Sequence, residues 1–338
     1  AQLAPERALE LGGRHHLAMR PRQLVERVPQ QLGREPHTVG AERADGAGVG
    51  DSWTLDSSAG GMDTWVYGNG ATVATAVIDD DMSLSYRDLY RRCRQMAGAL
   101  RARGMVAGDT VAILCPNSHE MLESHYSVPM AGAVLNSINI RLDAGTLSFI
   151  LAHGEARVLV YDTQLENQVR AAIAELEVPP LLVAVERKAG ASQGLAELDY
   201  ESLLAEGDPE ASWSHPDDEW DAISLNYTSG TTGNPKGVVY HYRGAALMAY
   251  TNTIHAGLGK HAVYLWTLPM FHCNGWCFPW TLAVQAGTHV CLRWVRAKQM
   301  YDAIADHGVT HLCGAPIVMS VLINAPAGDK RDFPQAVT

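Results

Sequence analysis

The sequence lacks any apolar run near the ~18 residues that a membrane-spanning helix needs, and its start has no charged stretch leading into an apolar one. It therefore reads as a chain without a transmembrane segment or secretory signal, and the cytoplasm is the expected compartment. Cysteine is sparse. Six residues (Cys93, Cys115, Cys273, Cys277, Cys291, Cys313) scattered over 338 positions exclude the dense disulfide framework of a small secreted domain and leave reduced thiols. Positive charge is also short, with 26 Lys and Arg against 37 Asp and Glu, and the formal charge of −11 argues against general nucleic-acid binding. Two common nucleotide fingerprints are missing too: neither the Walker spacing G-x-x-x-x-G-K-[ST] nor the dinucleotide G-x-G-x-x-G occurs in the glycine-rich turn at 227–237. None of these absences excludes a nucleotide, because a few backbone N–H groups and one lysine can hold phosphates inside an acidic protein.

What is present is a globular composition, 47% apolar and 19% charged, on a chain long enough for two or more α/β subdomains. Residues 1–82, rich in Gly, Ser and Asp, read as an atypical leader, a surface loop or disordered segment. From Ser83 the pattern sharpens. Leu89, Cys93, Met96, Ala97 and Leu100 share a helical face that Ser85 caps and Gly104 ends, and the strand TVAILCP comes next. Helices around 118–130 and from Asp143 then alternate with AGAVLN and the strand ARVLVYD, which predicts a first parallel-sheet α/β subdomain over 83–185. Residues 186–220 form a polar connector with one short helix at 200–205. A second α/β part over 221–338 runs through DAISLNY, AVYLWTLPMF, a helix in WCFPWTLAVQAG, THVCLR, a helix at 297–307, VTHLCGAP and a helix from Pro316.

The most informative segment is YTSGTTGNPKG at 227–237. Gly230, Gly233 and Gly237 allow close approach of backbone N–H groups to an anion, Thr228, Ser229, Thr231 and Thr232 add hydroxyl donors, and Lys236 adds a point charge. Composition alone leaves an anion loop and a solvated Ser/Thr/Gly turn equally open. A second segment, LPMFHCNGWCFPW at 268–280, places His272 beside Cys273 and Cys277. A metal site there would need four well-spaced ligands and a second cluster, which the sequence does not offer. Its aromatic residues are also compatible with simple core packing.

Residues 228–237 satisfy all nine specified positions of [ST]-[ST]-G-[ST]-T-G-x-P-K-G, the signature loop of the adenylate-forming superfamily, which includes acyl- and aryl-CoA synthetases, firefly luciferase and peptide-synthetase adenylation domains. The run at 268–280 is similar to the P-M-F-H-x-N-x-W segment of the fatty acyl-CoA synthetase branch, and the likeness extends from Ser83 to the end. The resemblance implies an α/β fold, the N-terminal lobe of such enzymes with two parallel-sheet subdomains and without the C-terminal lid. It implies that Thr228, Ser229, Gly230, Thr231, Thr232, Gly233 and Lys236 contact ATP phosphates, with Thr228 also placing Mg2+. It places His272 at the reacting end and Gly275 and Trp276 beside the acyl group.

The implied reaction joins a small-molecule carboxylate to ATP, giving acyl-AMP, and then to coenzyme A; a medium- or long-chain fatty acid is the expected acid. Some fatty acyl relatives dimerise, so a homodimer is one expectation. The family's downstream aromatic-G-x-T-E motif, ribose-binding aspartate and lid lysine have no counterpart in these 338 residues, which predicts an N-terminal portion inactive by itself. The competing expectation is a non-catalytic fragment or pseudoenzyme that binds ATP or an acyl ligand. A peptide-synthetase domain fits the fatty-type MFHCNGW less well, and an unrelated P-loop enzyme lacks its loop spacing. The loop yields a direct prediction: in a full-length version, Lys236→Ala impairs acyl-AMP formation far more than thioester formation from preformed acyl-AMP. Equal losses in the two half-reactions would contradict the assigned role.

Overall fold

The computed structural model describes residues 74–187, 192–228 and 235–338. The expected leader lies outside the described residues as far as 73. Its last part differs from expectation: Thr75–Asp79 (β1) and Met82–Ser85 (β2) pair as an antiparallel hairpin, turning at Asp80 with φ 51°. Ala76 and Val77 are buried, so this short run enters the core.

Caps fix the helices where the sequence places them. Ser85 and Asp88 form a reciprocal capping box at the start of α1 (Tyr86–Ala102), and Gly104 lies just past its end at φ +84°. After β3 (Thr110–Leu114), Ser118 caps α2 (His119–Met130); after β4 (Val134–Ser137), Asp143 caps α3 (Ala144–His153). Next come β5 (Ala156–Asp162), α4 (Glu166–Ile173), β6 (Leu181–Val185), β7 (Leu198–Asp199) and α5 (Tyr200–Ala205), the last capped by Asp199. The remaining elements are β8 (Ala222–Tyr227), β9 (Gly237–His241), α6 (Tyr242–His255), β10 (Val263–Leu265), α7 (Phe278–Val284), β11 (Thr288–Val290), α8 (Ala297–His307), β12 (His311–Leu312) and α9 (Pro316–Ile323).

These strands form two sheets. The larger has the order β7-β6-β5-β3-β4-β8-β9 and is parallel except for the β8–β9 pair; the smaller has the order β12-β10-β11-β1-β2 and is parallel except for β1–β2. Period-two alternation sorts the larger sheet's residues. Val111, Ile113, Val158, Val160 and Val183 pack with α1 and α2, while Ala112, Leu114, Leu159 and Ala184 pack with α3 and α4. The first of these layers also takes in Ala76, Tyr264 and Trp266 from the smaller sheet's side, so one core joins both sheets.

This arrangement differs from a division of the chain at the 186–220 connector. Strands β8 and β9 come after the connector yet join the first sheet, while β1 and β2 precede it and join the second. Sheet membership is set by long-range pairing, such as Val77 opposite His289, which local pattern does not encode.

Charged side chains tie the two sheets together at their strand ends. Arg187, just past β6, bonds Asp79 at the end of β1 and Glu120 (2.7 Å), and His119 Nδ1 lies 2.8 Å from Asp79. In the reverse direction, Arg293 beyond β11 pairs with Asp162 at the end of β5. Burial alone would raise the Asp79 carboxyl, but hydrogen bonds from His119 and Arg187 outweigh it and bring it from the ordinary 3.8 down to about 2. The carboxylate therefore stabilises the fold above its unfolded pKa, and that contribution is lost as pH falls through about 2. A shift of this size is worth roughly 2 kcal/mol. Urea unfolding across the acid limb should show Asp79→Asn less stable than the parent at neutral pH and with a flatter slope below ~pH 4. Identical slopes would contradict the role given to this pair.

Candidate active site

The carboxyl ends of the adjacent parallel strands β4 and β8 open into a cavity of about 320 Å³. Open parallel sheets bind ligands at such ends, because the connections diverge there and leave a crevice. Asn136 and Ser137 of β4 supply one side, and Asn226, Tyr227 and Thr228 supply another. Phe271, His272 and Cys273 close it from the loop after β10.

The glycine-rich loop springs from this cavity. Thr228 N–H donates to the Lys236 carbonyl (3.0 Å) and Lys236 N–H donates to Thr228 Oγ1 (3.1 Å), so the loop has a closed neck between β8 and β9. Ser229, Gly230, Thr231, Thr232 and Gly233 lie outside the described residues. Thr228 and Lys236 are thus brought together, Thr228 against the cavity and Lys236 exposed beside it.

The polar lining is asparagine rather than charge. Asn136 is fully buried, and neither its Oδ1 nor its Nδ2 has a partner among the described residues; Asn226 is nearly as buried and its Oδ1 is likewise unpartnered. A buried amide without hydrogen bonds costs roughly 1–3 kcal/mol, and the Asn136 amide is packed against Gly154 at the end of α3. Tyr227 OH is already engaged, 2.8 Å from His153 Nδ1. The described lining carries no carboxylate, and Thr228 Oγ1 already accepts the Lys236 N–H, so this lining does not by itself build a magnesium site.

The His272 segment is held by an unusual backbone. Asn117 clamps its start, accepting Met270 N–H at 2.7 Å and donating to the carbonyls of Trp266 and Leu268. The five residues Cys273–Cys277 then run left-handed, with φ between 43° and 63°. This turn delays the helix expected through WCFPWTLAVQAG, which starts at Phe278. Gly275 adopts the left-handed form freely and Asn274 readily, whereas Cys273, Trp276 and Cys277 cost roughly 1–2 kcal/mol each. Gly275 is buried, and a Cβ there would stand 3.2 Å from Pro279 and 3.3 Å from the Trp266 ring. His272 is exposed at the cavity, whereas Gly275 and Trp276 do not line it, Trp276 being 49% exposed.

Neither metal reading gains support. Burial pushes the Cys277 thiol up to about 12 and also raises Cys273, keeping both protonated beside His272. The other candidate ligands among the described residues, Asp79, His119 and Glu120, already have Arg187 as their cation.

A family model described as AMP-binding enzyme matches residues 65–338. The chain belongs to this family. Its relatives include the peroxisomal acetate/butyrate–CoA ligase AAE7 of Arabidopsis thaliana, 46% identical over 267 residues that cover 75% of this chain and 47% of that protein. Another is the acetate–CoA ligase CCL3 of Humulus lupulus, 44% identical over 278 residues that cover 78% of this chain and 49% of that one. The chain thus spans about half the length of the curated relatives it matches. Among solved structures, the inhibitor-bound N-terminal domain of FACL13 from Mycobacterium tuberculosis aligns with a TM-score of 0.65 at 26% identity, covering 77% of this chain and 65% of that one. The expected α/β lobe with parallel-sheet subdomains is the fold observed. No helix among the described residues is long and apolar enough to cross a membrane.

In this AMP-binding family member the structure brings Thr228 and His272, singled out by their motifs, to a cavity that Asn136 and Asn226, not singled out by sequence, also line. Their one available signal was a lone amide on a buried strand, at the end of AVLN and in ISLNY. Because the Asn136 side chain makes no hydrogen bond among the described residues, Asn136→Leu in a full-length version should leave the thermal midpoint unchanged or higher while lowering kcat/KM about tenfold or more. A fall in stability with unchanged kcat/KM would identify a structural amide instead.

Proposed function

We propose that this chain carries the ATP-handling loop and the acid-facing segment of an AMP-forming acid–CoA ligase. One observation carries the reading: the closed neck between Thr228 and Lys236 opens beside His272 on a single cavity that Asn136 and Asn226 also line. In the first step, a carboxylate oxygen of the acid bonds to the α-phosphorus of ATP as the bond to the pyrophosphate oxygen breaks. In the second, the coenzyme A sulfur attacks the acyl carbon, the thiol proton leaves, and AMP departs. The first step brings two anions together, so Lys236 and the loop N–H groups would offset the charge gathering on the phosphates. His272 would donate to a carboxylate or phosphate oxygen at the cavity, and Asn136 and Asn226 would orient it. Thr228 would stand beside any magnesium that ATP brings, whose charge would offset that of the phosphates.

The acid we propose is short. The relatives named for acetate and butyrate support this choice, and the cavity stands near the lower end of ligand-pocket sizes, in contrast to the medium- or long-chain acid suggested by the MFHCNGW likeness. For location we keep the cytoplasm as the proposal, with the peroxisome, for which several relatives are named, as its competitor. Pyrophosphate exchange by a full-length version, with acetate, butyrate, octanoate and palmitate compared, tests the reading. Exchange should be fastest with the two short acids. Fastest exchange with palmitate would overturn the acid assignment, and none with any acid would overturn the activity.

A further inference from the structure

His272 reaches the cavity without a strong side-chain anchor of its own. Among the described residues its ring has only Cys273 Sγ, at 4.0 Å, so the backbone on either side sets where the imidazole stands. That backbone is gripped from the large sheet. Ser137 Oγ, at the end of β4, lies 3.3 Å from the Phe271 carbonyl, one residue before the histidine, and 3.5 Å from Asn274 Oδ1, two residues after it. Tyr240 OH, on β9, donates to the Cys273 carbonyl at 3.5 Å. Ser137, Tyr240, Phe271, His272 and Cys273 all line the cavity, and Asn274 is fully buried behind them. One hydroxyl thus brackets His272, and its grip on the far side is on a side chain.

A buried amide anchors a chain only when its own orientation is settled, and His125 of α2 settles it. His125 Nδ1 lies 2.8 Å from the Met121 carbonyl, which can only accept, so this nitrogen carries the proton. Burial outweighs the hydrogen bonds that favour the charged ring and brings it from 6.5 down to about 4, which keeps it neutral and leaves Nε2 an acceptor. The Asn274 side chain reaches this ring, and neither His125 Nε2 nor Asn274 Nδ2 has another partner among the described residues. Facing an acceptor, the amide turns Nδ2 to His125 and Oδ1 to Ser137. The residue type also suits its backbone, since φ 46° and ψ 53° is a conformation asparagine adopts readily. Farther along, the turn is held separately. Asn252 Nδ2, on α6, donates to the Trp276 carbonyl at 2.8 Å, and Trp280 Nε1 donates to the His125 carbonyl at 3.2 Å. Loss of the Asn274 amide would therefore free the His272 end of the turn alone.

We propose that Asn274 is a positioning residue for His272: held between Ser137 and His125, its amide pins the backbone that carries the imidazole to the cavity wall. This rests on the reading of His272 as the donor that meets the acid. Without the amide, the backbone at 272–274 loses its grip on β4, the imidazole moves off the cavity, and the acid loses that donor.

The test compares full-length versions carrying Asn274→Gly, His272→Ala, or both, in pyrophosphate exchange and in the overall reaction with acetate. Glycine keeps the left-handed backbone open and removes only the amide. Asn274→Gly should lower kcat/KM for acetate about tenfold or more, the scale of a displaced catalytic group, with a raised KM for acetate and an unchanged KM for coenzyme A. In the His272→Ala background the same change should cost nothing further. If the two losses multiply, or if Asn274→Gly lowers kcat alone and equally for every substrate, the positioning role is overturned while the reading of His272 stands. Exchange unmoved by His272→Ala would overturn that reading and the proposal with it. Should Asn274→Gly fail to fold, Ser137→Ala, which removes the hydroxyl that grips the amide, carries the same expectation in both backgrounds; multiplying losses there overturn the role.

Discussion

The parallel pairing of β4 with β8, in register at Leu135 and Ser224, is the constraint on which the site depends. It joins a strand from before the polar connector to one after it. Asn136 lies one residue beyond the paired position on one strand, and Asn226 and Thr228 lie two and four beyond on the other. All three therefore lie at the carboxyl ends of these strands, Asn136 on the α3 face of the sheet and Asn226 on the other. A one-residue slip would turn every side chain of β8 to the opposite face, taking Asn226 from the cavity and the loop's neck with it. The antiparallel β9 then returns from the loop beside β8, which seats Lys236 next to Thr228.

The second half of the site is secured by different physics. The loop after β10 belongs to the smaller sheet's side of the molecule, yet it reaches the cavity because Asn117 holds its start and Ser137 Oγ bonds the Phe271 carbonyl at 3.3 Å. Ion pairs between Arg187 and Asp79 and between Arg293 and Asp162 keep the two sheets in fixed relation. The left-handed run Cys273–Cys277 is uphill for its non-glycine members and persists because neighbours over-determine it. Strain of this kind belongs where a site needs a side chain in one place. The fold thus combines unstrained strand ends, from which the loop's neck rises, with a strained turn that follows His272.

Much of this was legible in the sequence because its signals are local. Ser85, Ser118, Asp143 and Asp199 each accept the N–H that a capping residue should, and they set where the helices start. Thr228 and His272, singled out by local motifs, likewise come to line one cavity, with Lys236 beside it. The β1–β2 hairpin was not, since it is short and its strand β1 finds a partner in β11 far along the chain. The left-handed turn left no mark beyond Asn274 and Gly275, because cysteine and tryptophan adopt that form only under tertiary contacts. Asn136, Asn226 and Asn252 escaped notice for a related reason: an isolated amide in an apolar element shows its purpose only when its partners, or their absence, are seen in space.

A crystal structure of a full-length version with a non-hydrolysable acyl-adenylate mimic addresses the central claim most directly. The account predicts the mimic at the β4–β8 edge, with its acyl carbonyl or phosphate-mimicking group in hydrogen-bond reach of His272 and with Asn136 bonded to the ligand directly or through one water. A mimic bound elsewhere, with the cavity filled only by water and the Asn136 amide still unpartnered, would contradict it.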